Sequence, residues 1–439
     1  MKLVITNATL DARPTSIAVD GHMITAIGDH VPTNTADAVV DAAGAAVVPG
    51  LHDHHLHLFA MAAALGSVQC GPSAVHSIDD LARALRDAPG DGEIRGVGYH
   101  ESVAGPLDRD VLDRLVRDRP VRVQHRSGGL WVLNSKAIAE RHLDASDGRV
   151  FRGDEVVRSV DADLPDLAEV GQQLLSYGVT GVTDATPDLE FAAMQHLAAA
   201  VASGVLPQSV TALGAPDDWT DPEVAQGPRK LLLHDHDLPT YDELAERVHE
   251  ARTATRAVAV HCVTRESLML TLAVLEDVGA VTGDRIEHGA VVPRDVYRTM
   301  RSLGVAVVTQ PCFIRERGDD YLTDVDPHDL ECLYPYRSLL DAGVPVAASS
   351  DAPYGDVDPW SAIAAAGQRR TPSGATIGRS EAVDAATALA GYLSPAADPG
   401  GPPRRLRVGP HSGLCVLTPP PVRAAVVVSR SGQLVSPRG

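Results

Sequence analysis

The stretch PGLHDHHLHLFA holds four histidines and an aspartate between positions 52 and 57. Neutral imidazole and carboxylate are the preferred ligands of Zn²⁺ and similar divalent ions. Residues i and i+2 of a strand face the same way. His55 and His57 can therefore grip one ion together, whereas the neighbours His54 and His55 cannot. Spacing alone decides little, because HxH also occurs at His52/His54 and at His234/His236 in a chain with 18 histidines. Partners must come from elsewhere. His261 in AVAVHCV, His288 in RIEHGAV and Asp351 in VPVAASSD each stand at the end of an apolar run, and Lys230 lies in RKLLLHD. A single strand-end histidine is more often a satisfied core residue than a ligand. Histidines ending three such runs, with an aspartate ending a fourth, point to a divalent metal centre if one element gathers them.

A (β/α)₈ barrel is such an element, since its strand C-terminal ends meet at one mouth. Eight short apolar runs are spaced along the chain, at 45–51, 178–185, 208–214, 229–235, 257–263, 285–291, 305–311 and 344–351. They alternate with amphipathic segments such as SIDDLARALRDA, TYDELAERVHEARTA and SEAVDAATALAGYL. In the first two, Ser77 and Thr240 stand three residues before Asp80 and Glu243, a helix-start pattern. The alternation predicts an α/β fold, a TIM barrel over residues 49–399. The runs EIRGVGYHE and RPVRVQHRSG fall between the first two barrel strands and assign an insertion to about residues 70–165. Both chain ends carry short β-like runs, KLVITNATL and TSIAVDGHMITAIGD at one, GLCVLTPPP and RAAVVVSRSGQLV at the other. They predict a small β-sandwich built from residues 1–48 and 400–439, reached through the linker PAADPGGPPRR.

Composition narrows the partners. Apolar residues make up 44 % of the 439 and aromatics 4 %, so the core is aliphatic, as in strands buried on both faces. The formal charge of −20 repels nucleic acid and anionic membrane, and a small molecule is the expected partner. The five cysteines are odd in number and form no CxxC pair, which argues against a disulfide framework and for a reducing compartment. The N-terminus reads as no signal peptide and no run of 18 apolar residues appears, so a cytoplasmic protein is expected.

Here the residues resemble a known family. PGLHDHHLH is similar to the PGxxDxHxH opening of the amidohydrolase superfamily, and VAVHC, RIEHG and ASSDAP resemble its later strand-end motifs, in order. RSGGLWVLNSKA, VTQPCFIRERGDDY and SDAPYGDVDPW further resemble the subgroup that includes N-substituted formamide deformylase and the exoenzyme-regulatory-protein-like amidohydrolases. The resemblance implies that His55, His57, His261 and His288 bind metal, that Asp351 is both ligand and catalytic residue, and that the ion is Zn²⁺. Lys230 falls where many members carry a carboxylated lysine that bridges two ions, for a carbamate attracts a cation that an ammonium would repel. The resemblance also implies a homodimer.

The chemistry implied is hydrolysis of a C–N bond in an amide, formamide or N-acyl compound. A divalent ion acidifies water and polarises a carbonyl. Asp351 would take the water's proton and return it to the leaving nitrogen, while His288 and His261 hold a second ion or orient the oxyanion. Tyr99, His125, Arg126 and Gln310 are the expected substrate-binding residues, Asp53 is expected to support the ligands, and Asp184 to back a histidine. Three rivals stand beside this reading. Heterocycle deamination with one metal calls for a glutamate three residues after His261, where this chain has Thr264. Ester or lactone hydrolysis would use the same activated water. A catalytically silent scaffold would have lost ligands that are all present here.

Overall fold

The computed structural model describes residues 2–72, 74–151, 164–418 and 423–435. Residues 1, 419–422 and 436–439 of the expected terminal sandwich, and 73 and 152–163 of the expected insertion, lie outside the described residues. Two compact units make up the chain, Met1–Leu58 with Leu167–Gly439, and Phe59–Asp166. Among the described residues no helix is long and apolar enough to cross a membrane.

The first unit is α/β with parallel sheets. Its parallel strands are β1 (Leu51–Leu56), β2 (Val179–Asp184), β3 (Ser209–Ala212), β4 (Val224–Gln226), β5 (Arg229–Leu231), β6 (Val258–Cys262), β7 (Arg285–His288), β8 (Ala306–Thr309) and β9 (Val346–Ala348). Here the structure corrects the sequence reading. Among the described residues there are nine parallel strands rather than eight, laddered as two sheets ordered β4-β3-β2-β1 and β5-β6-β7-β8-β9. The break between β4 and β5 has a local cause. Gly227 and Pro228 separate them, and proline has no N–H to continue a ladder. The buried Arg256 spans this seam, donating to the carbonyls of Leu213, Ala215 and Gly227 at 2.7–2.9 Å. At the other seam, Asp351 N–H donates to His55 O and His57 N–H to Ala352 O, both at 2.8 Å.

The run 45–51 also divides. Val47–Pro49 pairs antiparallel with Leu414–Leu417, while β1 starts at Leu51 and pairs with β2. Gly50 sits at the division, where a Cβ would fall 2.1 Å from Thr180 Oγ1. The chain ends form two sheets of their own. Lys2–Leu10, Arg13–Asp20, Met23–Gly28, Ala38–Asp41 and Gly409–Pro410 make one; Val47–Pro49, Leu414–Leu417, Ala424–Val428 and Leu434–Val435 make the other. Leu3, Ile5, Ile17 and Val19 from the first share one buried cluster with Val47, Leu414, Val416 and Val428 from the second. Helices start where the capping chemistry directs: Ser77 caps Ile78–Arg86, and Thr240 with Glu243 closes a full capping box on Tyr241–Thr253. The segment read as a helix from Ser380 begins later, at Ala385, because Asp384 is the side chain that caps it.

The second unit carries one five-stranded sheet, ordered Arg149–Phe151, Leu130–Leu133, Val121–His125, Ile94–Tyr99 and Val68–Gln69. Leu81, Leu85, Leu112, Val121 and Val123 fill its core.

Within the first unit, Asp284 aligns the two strands that carry His261 and His288. Its carboxylate accepts the amides of Val258 and Val281, both at 2.8 Å, and the Arg252 guanidinium at 2.6 Å. The Asp284 side chain is fully buried. Asp284→Ala leaves two amides and a cation without their acceptor and should cost about 3–5 kcal/mol. Urea titration checks this as a lowered midpoint; a midpoint equal to the parent's would show that the contacts carry no stability.

Candidate metal centre

Strand periodicity sorts the crowded opening into two groups. His52 and His54 face one way, and both are buried structural residues. His52 Nε2 lies 2.9 Å from Thr183 Oγ1, with its ring over Gly181, where a Cβ would come within 2.5 Å of Nδ1. His54 Nε2 lies 3.0 Å from Ser394 Oγ, just past the helix Ala385–Leu393. Asp53, His55 and His57 face the other way. Asp53 accepts the amides of His55 at 3.1 Å and Ser350 at 3.2 Å, clipping β1 to the chain that follows β9. Burial raises its pKa to about 6, against the pull of the Ser350 and His55 groups.

His55 Nε2 lies 3.4 Å and His57 Nε2 3.2 Å from Asp351 Oδ1, and the three atoms all fall within 4.8 Å of one another. Glu287, fully buried, accepts from His55 Nδ1. A carboxylate accepts only, so the ring proton sits on Nδ1 and Nε2 presents a bare lone pair. Burial keeps this imidazole neutral, its pKa well below the usual value, and the charge of Lys230 adds to that. Asp351 Oδ1 is itself buried and, among the described residues, has no partner in hydrogen-bonding geometry. Lone pairs therefore face one another with no proton between His55 and Asp351, an arrangement that repels unless a cation lies among them. Around a tetrahedral ion with bonds of about 2 Å, neighbouring ligands stand about 3.3 Å apart, which matches the two spacings. The residues fit a divalent cation.

The remaining expected ligands lie alongside. His288 Nδ1 is 2.9 Å from Gln310 Oε1, and its ring centroid is 4.8 Å from that of His55 and 4.4 Å from that of His261. Gln310 Nε2 donates to Ser349 Oγ at 3.0 Å, which turns its carbonyl toward His288 and leaves His288 Nε2 unprotonated. Burial lowers the His288 pKa too. Lys230 is 5 % exposed, and burial lowers its pKa against the opposing pull of Glu287 and Asp351. His288 and Asp351 adopt φ of 68° and 56°, a left-handed backbone uncommon outside glycine and costly unless the surroundings impose it.

Three expectations are corrected. Gln310 was expected to meet substrate, but both ends of its amide are committed to His288 and Ser349. Asp184 makes no hydrogen bond to a histidine among the described residues. It accepts the amides of Leu58 and Thr186 at 2.8 and 2.9 Å, and Thr186 Oγ1 in turn lies 3.2 Å from His57 Nδ1. Tyr99 is a core residue of the second unit, 2 % exposed, its hydroxyl donating to Gly105 O at 2.6 Å.

In the second unit, His125 Nε2 lies 3.1 Å from Glu101 Oε2 and His100 Nε2 3.9 Å from the same atom. Arg126 follows, its amide donating to Tyr99 O. This His–Glu–His group differs from the first in its protons. The amides of Ser102 and Ser127 donate to Nδ1 of His100 and His125, so each neutral ring carries its proton on Nε2, where a metal would have to bind.

The sequence reading missed Glu287, with Arg285 behind it, which donates to Glu287 at 2.5 Å and to His54 O at 3.1 Å. The sequence signal is a carboxylate placed between Arg285 and His288 in the short strand RIEH. Glu287→Gln substitutes an amide that can donate to Nδ1 and move the ring proton to Nε2. Metal affinity should fall about 10–100-fold, measured by chelator competition. An unchanged affinity would mean that Glu287 does not set the His55 tautomer.

Comparison with known proteins agrees with this geometry. The amidohydrolase family model matches residues 38–427. N-substituted formamide deformylase of Arthrobacter pascens is 26 % identical, across 99 % of this chain and 96 % of its own. The protein YtcJ of Bacillus subtilis (strain 168) is 24 % identical, across 75 % of this chain and 74 % of its own. Among solved structures, an uncharacterized metal-dependent hydrolase from Pyrococcus horikoshii OT3 superposes with a TM-score of 0.72 at 21 % identity, covering 91 % of this chain and 95 % of that one. A histidine pair at the end of one strand, an aspartate brought to it from the far end of the parallel array, and a family match across nearly the whole chain lead to one conclusion: the chain belongs to the amidohydrolase family, hydrolases of C–N bonds.

Proposed function

We propose that this chain hydrolyses the C–N bond of a formamide or other N-acyl amine, with Zn²⁺ held by His55, His57 and Asp351. The observation that carries the reading is the approach of two imidazole nitrogens and a carboxylate oxygen to one another. Its support on the substrate side is the likeness to an enzyme named for N-substituted formamides, over 99 % of the chain. The two parallel sheets are then the halves of one barrel, meeting at the Arg256 seam and the His55–Asp351 seam.

When bound, the ion acidifies water and polarises the carbonyl under attack. Asp351 accepts the proton of the attacking water, since its carboxylate stands at the point where the ligands converge. It then returns that proton to the amine nitrogen, which leaves poorly unless protonated. Glu287 holds His55 in the tautomer that keeps Nε2 free, and Gln310 does the same for His288. The bare Nε2 of His288, with His261 beside it, offers a place for a second ion. Lys230 suits this arrangement as a carbamate. Burial favours its neutral amine, the form that adds to CO₂ and then loses a proton. Deamination is less well supported, because Thr264 caps the helix Arg265–Val278 and puts no carboxylate at that position.

Chelation should abolish turnover of N-formyl and N-acyl amines, and added Zn²⁺ should restore it. Asp351→Asn removes the proton acceptor together with one of the three proposed ligands, and should lower kcat by about 10²–10⁴-fold even with Zn²⁺ in excess. Parent-like turnover by that variant, or by metal-free protein, would remove this assignment.

A further inference from the structure

A cavity of about 270 Å³ lies between the segments that follow β6 and β7 and the stretch 321–334. Its lining begins close along the chain to two of the expected metal ligands. Its lining residues Val263 and Ala290 stand two positions beyond His261 and His288, and two residues reach at most about 7 Å. The inner wall is apolar, with Val291 and Leu333 beside the rings of Tyr321 and Tyr334. Tyr334 is 4 % exposed, yet its hydroxyl meets only the Tyr321 hydroxyl among the described residues, at 3.5 Å, the outer limit of a hydrogen bond. That phenol retains bonding capacity inside the cavity.

The rim has the opposite character. Four carboxylates, Glu266, Asp324, Asp326 and Asp329, line it against one arginine, Arg265. Arg265 is paired with Asp329, so the other three carboxylates have no basic partner in the lining. Such a rim repels anions and attracts cations, and aromatic faces add to that attraction. The apolar wall, in turn, favours a hydrocarbon chain.

We propose that the cavity receives the unreacting arm of the substrate, an aliphatic chain that ends in a primary ammonium. The proposal rests on the reading of the chain as an N-acyl amine hydrolase. The C–N bond to be broken would lie at His55, His57 and Asp351, and the ammonium end at Asp324 and Asp326.

Two substrates of equal length separate the possibilities: N-formylcadaverine, and N-formylhexylamine, in which a methyl group replaces the ammonium. The parent should favour the cationic one by about tenfold in kcat/KM, mostly through KM. The double variant Asp324→Asn with Asp326→Asn should lose that preference and hydrolyse N-formylhexylamine as the parent does; asparagine at 326 still caps the helix Pro327–Leu330. Equal rates for the two substrates in the parent, or a preference that survives the double substitution, would overturn the proposal. Should neither compound be hydrolysed, the hydrolytic reading fails for this substrate class. The cavity is then tested by calorimetric binding of hexylammonium, which the parent should bind and the double variant should not. No binding to the parent would overturn the cavity assignment as well.

Discussion

One proton organises the centre of this protein. It sits on Nδ1 of His55 and is shared with Glu287, a carboxylate that is itself buried and held by Arg285. Because that proton is on Nδ1, the opposite nitrogen is bare, and because the ring is buried, it stays neutral. The same logic recurs at His288, where Gln310 takes the role of Glu287. Neutral imidazoles with fixed tautomers are what a divalent ion requires. The His100–Glu101–His125 group shows the contrast. It has similar residue types, but backbone amides hold its protons on the other nitrogen.

Much of this was legible because strands alternate. The i, i+2 rule placed His55 and His57 on one face and set His54 apart, and capping patterns located two helix starts to the residue. Glu287 escaped for the complementary reason. It precedes His288 directly, so regular alternation would send the two side chains to opposite faces. His288 has a positive φ, the alternation breaks there, and both side chains approach His55. A left-handed histidine has no sequence signature as a glycine would.

Other departures have similarly local origins. The ninth strand, Val224–Gln226, lies between two expected strands, and three residues ending in glutamine carry too little apolar pattern to be read. Tyr99 and Gln310 have side chains that suit a binding site or an interior equally well. Their hydrogen-bond partners decide, and those are distant in sequence or set by a turn.

The division of the parallel strands into two sheets gives the metal centre a mechanical role. His55 belongs to the first sheet and His57 follows its strand β1, while Lys230, His261, His288 and Asp351 belong to or follow strands of the second. Among the described residues no ladder joins the sheets across either seam. A cation bound by side chains of both would act as a rivet, and its binding free energy would add to the cohesion of the whole array. Metal supply would then govern how long this protein survives in the cell, as well as how fast it turns over.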